Sequence, residues 1–290
     1  MGGAKLEEVT GGLIAAGRDG ATPAAVVQEG TLPGERQVRG TLAAIAGEKA
    51  GIIKRGVPCV VGPQEDAALE VIEATAERLG APLLVHGQHW QVWEERGRLI
   101  YQDESGLLDL PRPALLGDHQ ILNAGAALAG LRALGFGEEA CEAAMTNAVW
   151  PARMQRLREG PLVEAAGQAE LWLDGGHNPA AGEALAKALA AMTDRPLHLI
   201  CGMLNTKDIT GFMRPLADVA KDLRAVSIPG EAATLSADET AAFARGAGLD
   251  ARTAPDVGTA IREIVADDAH ARILICGSLY LAGAILRENG

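Results

Sequence analysis

Leu173-Asp174-Gly175-Gly176-His177-Asn178-Pro179 is the stretch on which the fold of this chain turns. Residues 170–174 form a short, mostly apolar run that closes on an acid, the length of a buried strand. Asn178 is suited to cap a helix and Pro179 to open one, since the first helical turn has no use for the N–H that proline lacks. The two glycines let backbone segments approach closely, and the free amide hydrogens of the helix start favour an anion. A strand passed to a helix through such a turn begins a strand–helix–strand unit.

The same alternation recurs outward from this point. Leu197–Cys201, 224–228 and Arg272–Cys276 read as further strands. Residues 180–192 read as a helix, Ser236 with Glu239 three positions on opens a second through a capping box, and a third follows Gly277-Ser278. The class is therefore α/β with a mostly parallel sheet. An earlier set of elements precedes it: strands at 57–61 and 82–86, a helix at Asp66–Leu79, a polar hairpin at 91–108 around Gly97 and Gly106, and a helix at 121–134 closed by Gly135. The Trp150-Pro151 step marks the junction, because a residue before proline is pushed out of the helical region. Segments 1–46, 47–150 and 151–290 are the expected divisions.

Composition excludes several function classes. The chain has 290 residues, 48% of them apolar and only 3% aromatic, so its cores are built from small and aliphatic side chains. With 26 basic against 38 acidic residues the net charge is −12, and no basic run or aromatic platform suits nucleic acid. Cys59, Cys141, Cys201 and Cys276 are widely spaced in apolar surroundings and read as buried thiols of a reducing cytosol. No signal core and no apolar run of membrane-spanning length occurs, so a soluble cytoplasmic protein without a membrane partner is expected. His86 and His89, three apart in a strand-like run, fall on opposite faces and do not form a metal pair.

Five further stretches spend polar residues where packing would spend apolar ones. Gly47-Glu48-Lys49-Ala50-Gly51-Ile52-Ile53-Lys54 places Lys49 and Lys54 among small apolar residues, where a pair of solvated lysines is the plain alternative. His119-Gln120-x-x-Asn123 leads a helix, with capping by Asp118 or His119 as the alternative. Trp150-Pro151-Ala152-Arg153-Met154 puts an arginine at the junction, and a guanidinium fork matches phosphate oxygens, although a surface hinge arginine would look the same. Cys201-Gly202-Met203-Leu204-Asn205-Thr206-Lys207-Asp208 follows a strand, where open α/β sheets place ligands, and a solvated Lys207–Asp208 pair is the alternative. Cys276-Gly277-Ser278-Leu279-Tyr280 reads as a tight strand-to-helix turn.

Together these motifs, in this order over about residues 41–290, resemble the folylpolyglutamate and dihydrofolate synthases of the Mur ligase superfamily. The resemblance implies an incomplete Mur-ligase central domain followed by a Rossmann-like C-terminal domain. It also implies an ATP-dependent ligase that joins L-glutamate to the carboxylate of a folate or dihydropteroate through an acyl phosphate. By the same resemblance Lys49 is carbamylated and offers anionic oxygens to Mg2+, which a partly buried, readily neutralised amine would allow. Asn123 bonds adenine, Arg153 reaches the ATP phosphates, Asp174 holds the nucleotide, His177 lies near the transferred phosphoryl group, and Lys207 and Asp208 orient substrate or nucleotide.

Two departures accompany the likeness. The family's Trp-Pro-Gly-Arg has Ala152 in place of glycine here, a difference that matters if the backbone there is left-handed. No Gly-x-x-Gly-Lys-Ser phosphate loop occurs in the 290 residues. Instead residues 1–46, through Leu13–Asp19, Thr22–Thr31 and Arg39–Ala46, resemble the C-terminal part of uroporphyrinogen-III C-methyltransferases, so a chimera joined near residues 40–47 is expected, with weak ATP affinity and little turnover. A non-catalytic nucleotide-binding or interaction module is the alternative, an S-adenosylmethionine-dependent methyltransferase the remotest one, and an unpaired sheet edge left by missing strands would invite self-association.

Overall fold

The computed structural model describes the strand residues Ala25 and Val26 and residues 49–289. The methyltransferase-like segment otherwise lies outside the described residues, as does the join near residues 40–47. The described chain divides into two units: one holds the residues up to Pro113 with Gln120–Asn147, the other Ala114–His119 and the residues from Ala148 onward.

In the first unit, β1 (Ala25–Val26), β2 (Cys59–Val61) and β3 (Leu83–Val85) form a parallel sheet in that order, with α1 (Asp66–Leu79) connecting β2 to β3. Helix α1 turns Ile72 and Ala76 onto Cys59, Val61 and Val85. The predicted polar hairpin is instead a three-stranded antiparallel meander: β4 (Trp90–Glu95), β5 (Arg98–Asp103) and β6 (Gly106–Pro111). Its first turn, Arg96-Gly97, has φ of 52° and 75°, the doubly positive geometry that matches the twist of a tight hairpin. In strand 90–95 Trp90 and Val92 are buried on either side of exposed Gln91, in strand 98–103 Leu99, Ile100 and Tyr101 are all buried, and the face carrying Trp90, Val92, Leu99 and Tyr101 packs against α2 (His119–Ala133) and α3 (Glu138–Asn147). Gly125 of α2 is required there, since a Cβ would lie 2.5 Å from Val92 Cγ1 and 2.6 Å from Trp90 Cζ3. Helix α3, which is not among the expected elements, contributes Cys141 and Met145 to this core.

The second unit is a six-stranded sheet. Its elements run β7 (Gln155–Leu157), α4 (Pro161–Ala166), β8 (Glu170–Leu173), α5 (Pro179–Ala190), β9 (Leu197–Cys201), α6 (Ile209–Met213), β10 (Asp222–Ala225), α7 (Ala237–Gly246), β11 (Ala251–Thr253), α8 (Val257–Asp267), β12 (Arg272–Cys276) and α9 (Leu279–Glu288). The spatial order is β11-β10-β9-β12-β8-β7, parallel throughout except for β7. The α/β class and mostly parallel sheet read from the sequence are what the chain adopts. Because side chains alternate along a strand, Trp172, Leu199 and Leu274 face α5, α6 and α7, whereas Leu171, Leu173 and Ile273 face α4, α8 and α9. Each such aliphatic side chain contributes about 1.5–3 kcal/mol on full burial, so the two apolar cores hold three layers together.

Buried charges collect at the N-terminal ends of these strands and are paired among themselves. Arg272, the first residue of β12, bonds Glu170 at 2.9 Å, Asp194 at 3.0 Å and the Met192 carbonyl at 2.6 Å. Arg224 meets Asp222 at 3.1 Å and Glu263 at 3.3 Å, and His198 Nδ1 lies 2.7 Å from Asp222. These networks tie strand starts together. The opposite, C-terminal edge carries the polar loops singled out in the sequence.

Candidate active site

Strand β12 separates β8 from β9, although β8 and β9 are successive in the chain. The loops after β8 and β9 therefore diverge around β12, the kind of switch point where open α/β sheets bind ligands. Backbone bonds stitch the three loops together: Asp174 N–H donates to the Ile275 carbonyl at 3.0 Å, Gly277 N–H to Gly176 at 3.1 Å, and Gly202 N–H to Cys276 at 3.3 Å. Gly277 has φ of 103°, and a Cβ there would sit 2.6 Å from Cys201 Sγ, so only glycine fits.

Asp174 anchors the site. Its carboxylate is buried and accepts two backbone N–H groups, from Met154 at 2.8 Å and from Gly176 at 2.7 Å. Burial pushes its carboxyl above the usual carboxylate range, against the pull of those two donors and of the nearby Arg153 and His119 charges. Its oxygens thereby hold the junction turn 152–154 against the loop that follows β8. In that turn Ala152 has φ of 56° and Met154 φ of 41°, both left-handed. The position where the resembling family carries glycine does require a left-handed backbone, and alanine adopts it.

Arg153 projects from between these two residues, its Nη1 3.5 Å from the Ala152 carbonyl and within the electrostatic reach of Asp174. His177 is buried, and its Nδ1 lies 2.8 Å from the Gly175 carbonyl. A carbonyl only accepts, so Nδ1 carries a proton in this arrangement. Asn178 caps α5 through Ala181 N–H at 2.9 Å, with Pro179 at the first helical turn. Asp208 is exposed and caps α6, accepting Gly211 N–H at 2.9 Å, while Lys207 beside it is half-buried. Ser278 is buried and caps α9, accepting Tyr280 N–H at 3.0 Å.

The structure thus gathers Arg153, Asp174 and His177 on adjoining loops, with Lys207 and Asp208 on the loop after β9. Lys49 and Asn123 belong to the first unit. Lys49 is helical and exposed, whereas the carbamate reading took it to be partly buried; the segment that precedes it lies outside the described residues. The Asn123 amide donates to Gln120 Oε1 at 3.0 Å. Among the described residues no group of three or more His, Cys, Asp or Glu is placed to hold a metal ion. All four cysteines are free and buried, and the Cys276 thiol is held protonated by its hydrogen bond with Cys201 and by burial. Sequence reasoning missed Gln155, whose side chain supports the junction turn. No local signal marked it, because the left-handed backbone of Ala152 that it supports is set by tertiary contacts.

Residues 152–279 match the family described as Mur ligase, glutamate ligase domain. The matched segment starts at the left-handed Ala152 and ends just inside α9, so it spans the sheet and all the loops just described. Over 273 residues the chain is 28% identical to the folylpolyglutamate synthase of Lacticaseibacillus casei, covering 90% of this chain and 60% of that relative. The fold superposes on the Mycobacterium tuberculosis folylpolyglutamate synthase complexed with ADP with a TM-score of 0.75 at 29% identity, covering 91% of this chain and 63% of that one. The Escherichia coli FolC structure in complex with DHPP and ADP gives the same TM-score of 0.75 at 27% identity, over 91% of this chain and 60% of that one. The chain therefore spans about three-fifths of the length of these proteins. Among the described residues no helix is long and apolar enough to cross a membrane.

Proposed function

We propose that this chain is built for the ATP-dependent joining of L-glutamate to the carboxylate of a folate or dihydropteroate. The observation that carries the reading is the coincidence of the glutamate-ligase domain match with Arg153, Asp174 and His177 on the loops at the C-terminal edge of its parallel sheet. In such a reaction a carboxylate oxygen attacks the γ-phosphorus of ATP, ADP leaves, the amine attacks the acyl phosphate carbon, and phosphate departs.

This chain's residues fit the phosphate part of that chemistry. Arg153 supplies a forked cation close to Gly175, on the loop that leads to the helix start at Asn178-Pro179, and both the cation and the helix start favour phosphate oxygens. His177, its Nδ1–H held by the Gly175 carbonyl, is assigned by the resemblance to lie near the transferred phosphoryl group. Asp174 acts through the backbone it holds, keeping the Arg153 turn and the Gly175-Gly176 loop in register. Lys207 adds a second cation from the loop after β9, and the resemblance assigns Asn123 to adenine, a role that an amide with both a donor and an acceptor suits. Mg2+ is implied by the resemblance, with carbamylated Lys49 as its ligand. The described residues do not by themselves assemble a metal site.

The 290 residues contain no Gly-x-x-Gly-Lys-Ser stretch, a motif whose backbone donors form a nest for the β- and γ-phosphates, and weak nucleotide binding with slow turnover is proposed for these residues taken alone. Incubation with MgATP, dihydropteroate or folate, and labelled glutamate, read by mass spectrometry of the product and by ADP release, tests this directly. Slow glutamylation that Arg153→Ala abolishes supports the reading. Brisk ADP release would show that the missing loop does not limit the chain, and no MgADP binding at millimolar concentration would remove the nucleotide from the proposal.

A further inference from the structure

The junction turn raises a question that the domain match does not answer: what keeps a backbone with two left-handed non-glycine residues in place. Ala152 and Met154, at φ of 56° and 41°, flank Arg153 and set the direction in which its side chain leaves the chain. L-residues with a Cβ resist this conformation, so such a turn persists only where its surroundings over-determine it. Three bonds do so. The Ala152 carbonyl accepts Gly175 N–H at 2.9 Å, Met154 N–H donates to Asp174 at 2.8 Å, and the Ala152 N–H donates to Gln155 Oε1 at 2.9 Å.

The third bond, unlike the other two, comes from a residue only three positions along the chain. Gln155 opens β7, where its backbone is already placed by pairing opposite Leu173 of β8. Its side chain then folds back over the turn and accepts the N–H of buried Ala152. The strand-fixed residue thereby becomes a brace for the turn that precedes it. Where glycine occupies the turn, no comparable brace is needed, because glycine enters the left-handed region without steric cost.

We infer that Gln155 is a positioning residue for Arg153: its side-chain carbonyl holds Ala152 in the left-handed turn that aims the guanidinium at nucleotide phosphate. The inference rests on the proposed nucleotide role of Arg153, and its chemistry predicts which replacements matter. Glutamate keeps an acceptor at this position and alanine removes it. Ala152→Gly removes the need for the brace.

The test uses the full chain as parent, Gln155→Ala, Gln155→Glu and the double variant Ala152→Gly/Gln155→Ala. MgADP affinity is measured by calorimetry, the Arg153 side-chain Nε–H signal by NMR, and amide exchange at Ala152 in parallel. Loss of one such bond is expected to weaken MgADP binding about tenfold in Gln155→Ala, to shift the Arg153 signal and to speed Ala152 exchange about tenfold. Gln155→Glu is expected to retain parental values, and the double variant to regain affinity to within about threefold of the parent. Parental affinity and an unmoved Arg153 signal in Gln155→Ala would overturn the inference. So would a loss of affinity that tracks a lowered Tm and is not recovered in the double variant. If the parent itself takes no MgADP, the nucleotide reading fails separately, and the Arg153 signal decides: shifted in Gln155→Ala it upholds the brace, unmoved it refutes it.

Discussion

Replacing Asp174 with alanine removes the acceptor of two buried backbone N–H groups at once, those of Met154 and Gly176 at 2.8 and 2.7 Å. An orphaned buried donor costs about 1–3 kcal/mol, so the pair amounts to about 4 kcal/mol. Set against the about 5–15 kcal/mol that holds a domain folded, this is a large fraction of the second unit's stability. Asp174→Asn keeps one acceptor and turns an amide N–H toward the other donor, so its cost is expected at about half that of alanine. Native-state hydrogen exchange at the β8 and β12 amides, which lie in the same unit as Asp174, reads these losses as opening free energies. A loss under about 1 kcal/mol in Asp174→Ala would refute the claim that this carboxylate holds the junction turn. The pH dependence adds a second check. Burial raises the Asp174 pKa in the folded state, so the native protein binds the extra proton and the parent loses stability as pH rises above about 4, until the raised pKa is passed. The stability deficit of Asp174→Asn should therefore shrink across that window. A deficit that grows with pH would mean that the two N–H donors outweigh burial.

Gly182→Ala would drive a Cβ into the backbone of Phe212, whose Cα lies 3.1 Å from the ideal position, so α5 and α6 must separate at a cost of about 1–3 kcal/mol, measurable by urea denaturation. Ser236→Ala breaks a capping box in which Ser236 Oγ accepts Glu239 N–H at 3.2 Å and Glu239 accepts Ser236 N–H at 2.9 Å, and should cost about 1 kcal/mol in the same assay. Burial opposes ionisation of Asp222, yet His198 and Arg224 outweigh it and hold the carboxyl below the usual range. Its contribution is thus present above about pH 4 and lost as pH falls through the lowered folded value, so the stability gap between parent and Asp222→Asn should close on acidification. A gap that stays constant down to the acid transition would show that this carboxylate gains nothing from its partners.

Much of the second unit was legible because short apolar runs, an N-cap and a capping box are local signals. Leu197–Cys201 and Arg272–Cys276 read correctly to the residue, and Asn178 and Ser236 cap the helices they were assigned. Strand β10 was misplaced. The sequence suggested 224–228, whereas the strand is Asp222–Ala225. Its first residues are charged, and only the surrounding His198, Glu263 and Asp267 make Asp222 and Arg224 affordable inside a sheet. Strands β7 and β11, three residues each, carry too little alternation to be seen without their neighbours.

By itself the sequence determined the α/β class, the order of the motifs and the residue types that phosphate chemistry would need, because periodicity and turn chemistry depend on residues close together in the chain. Tertiary structure decided that β12 enters between β8 and β9, that Asp174 serves two backbone amides, and that Ala152 is left-handed with Gln155 over it. Those outcomes depend on partners far apart in the chain, Glu170 and Arg272 being 102 positions apart, and on which buried polar group finds its hydrogen bond, a balance that no local pattern encodes.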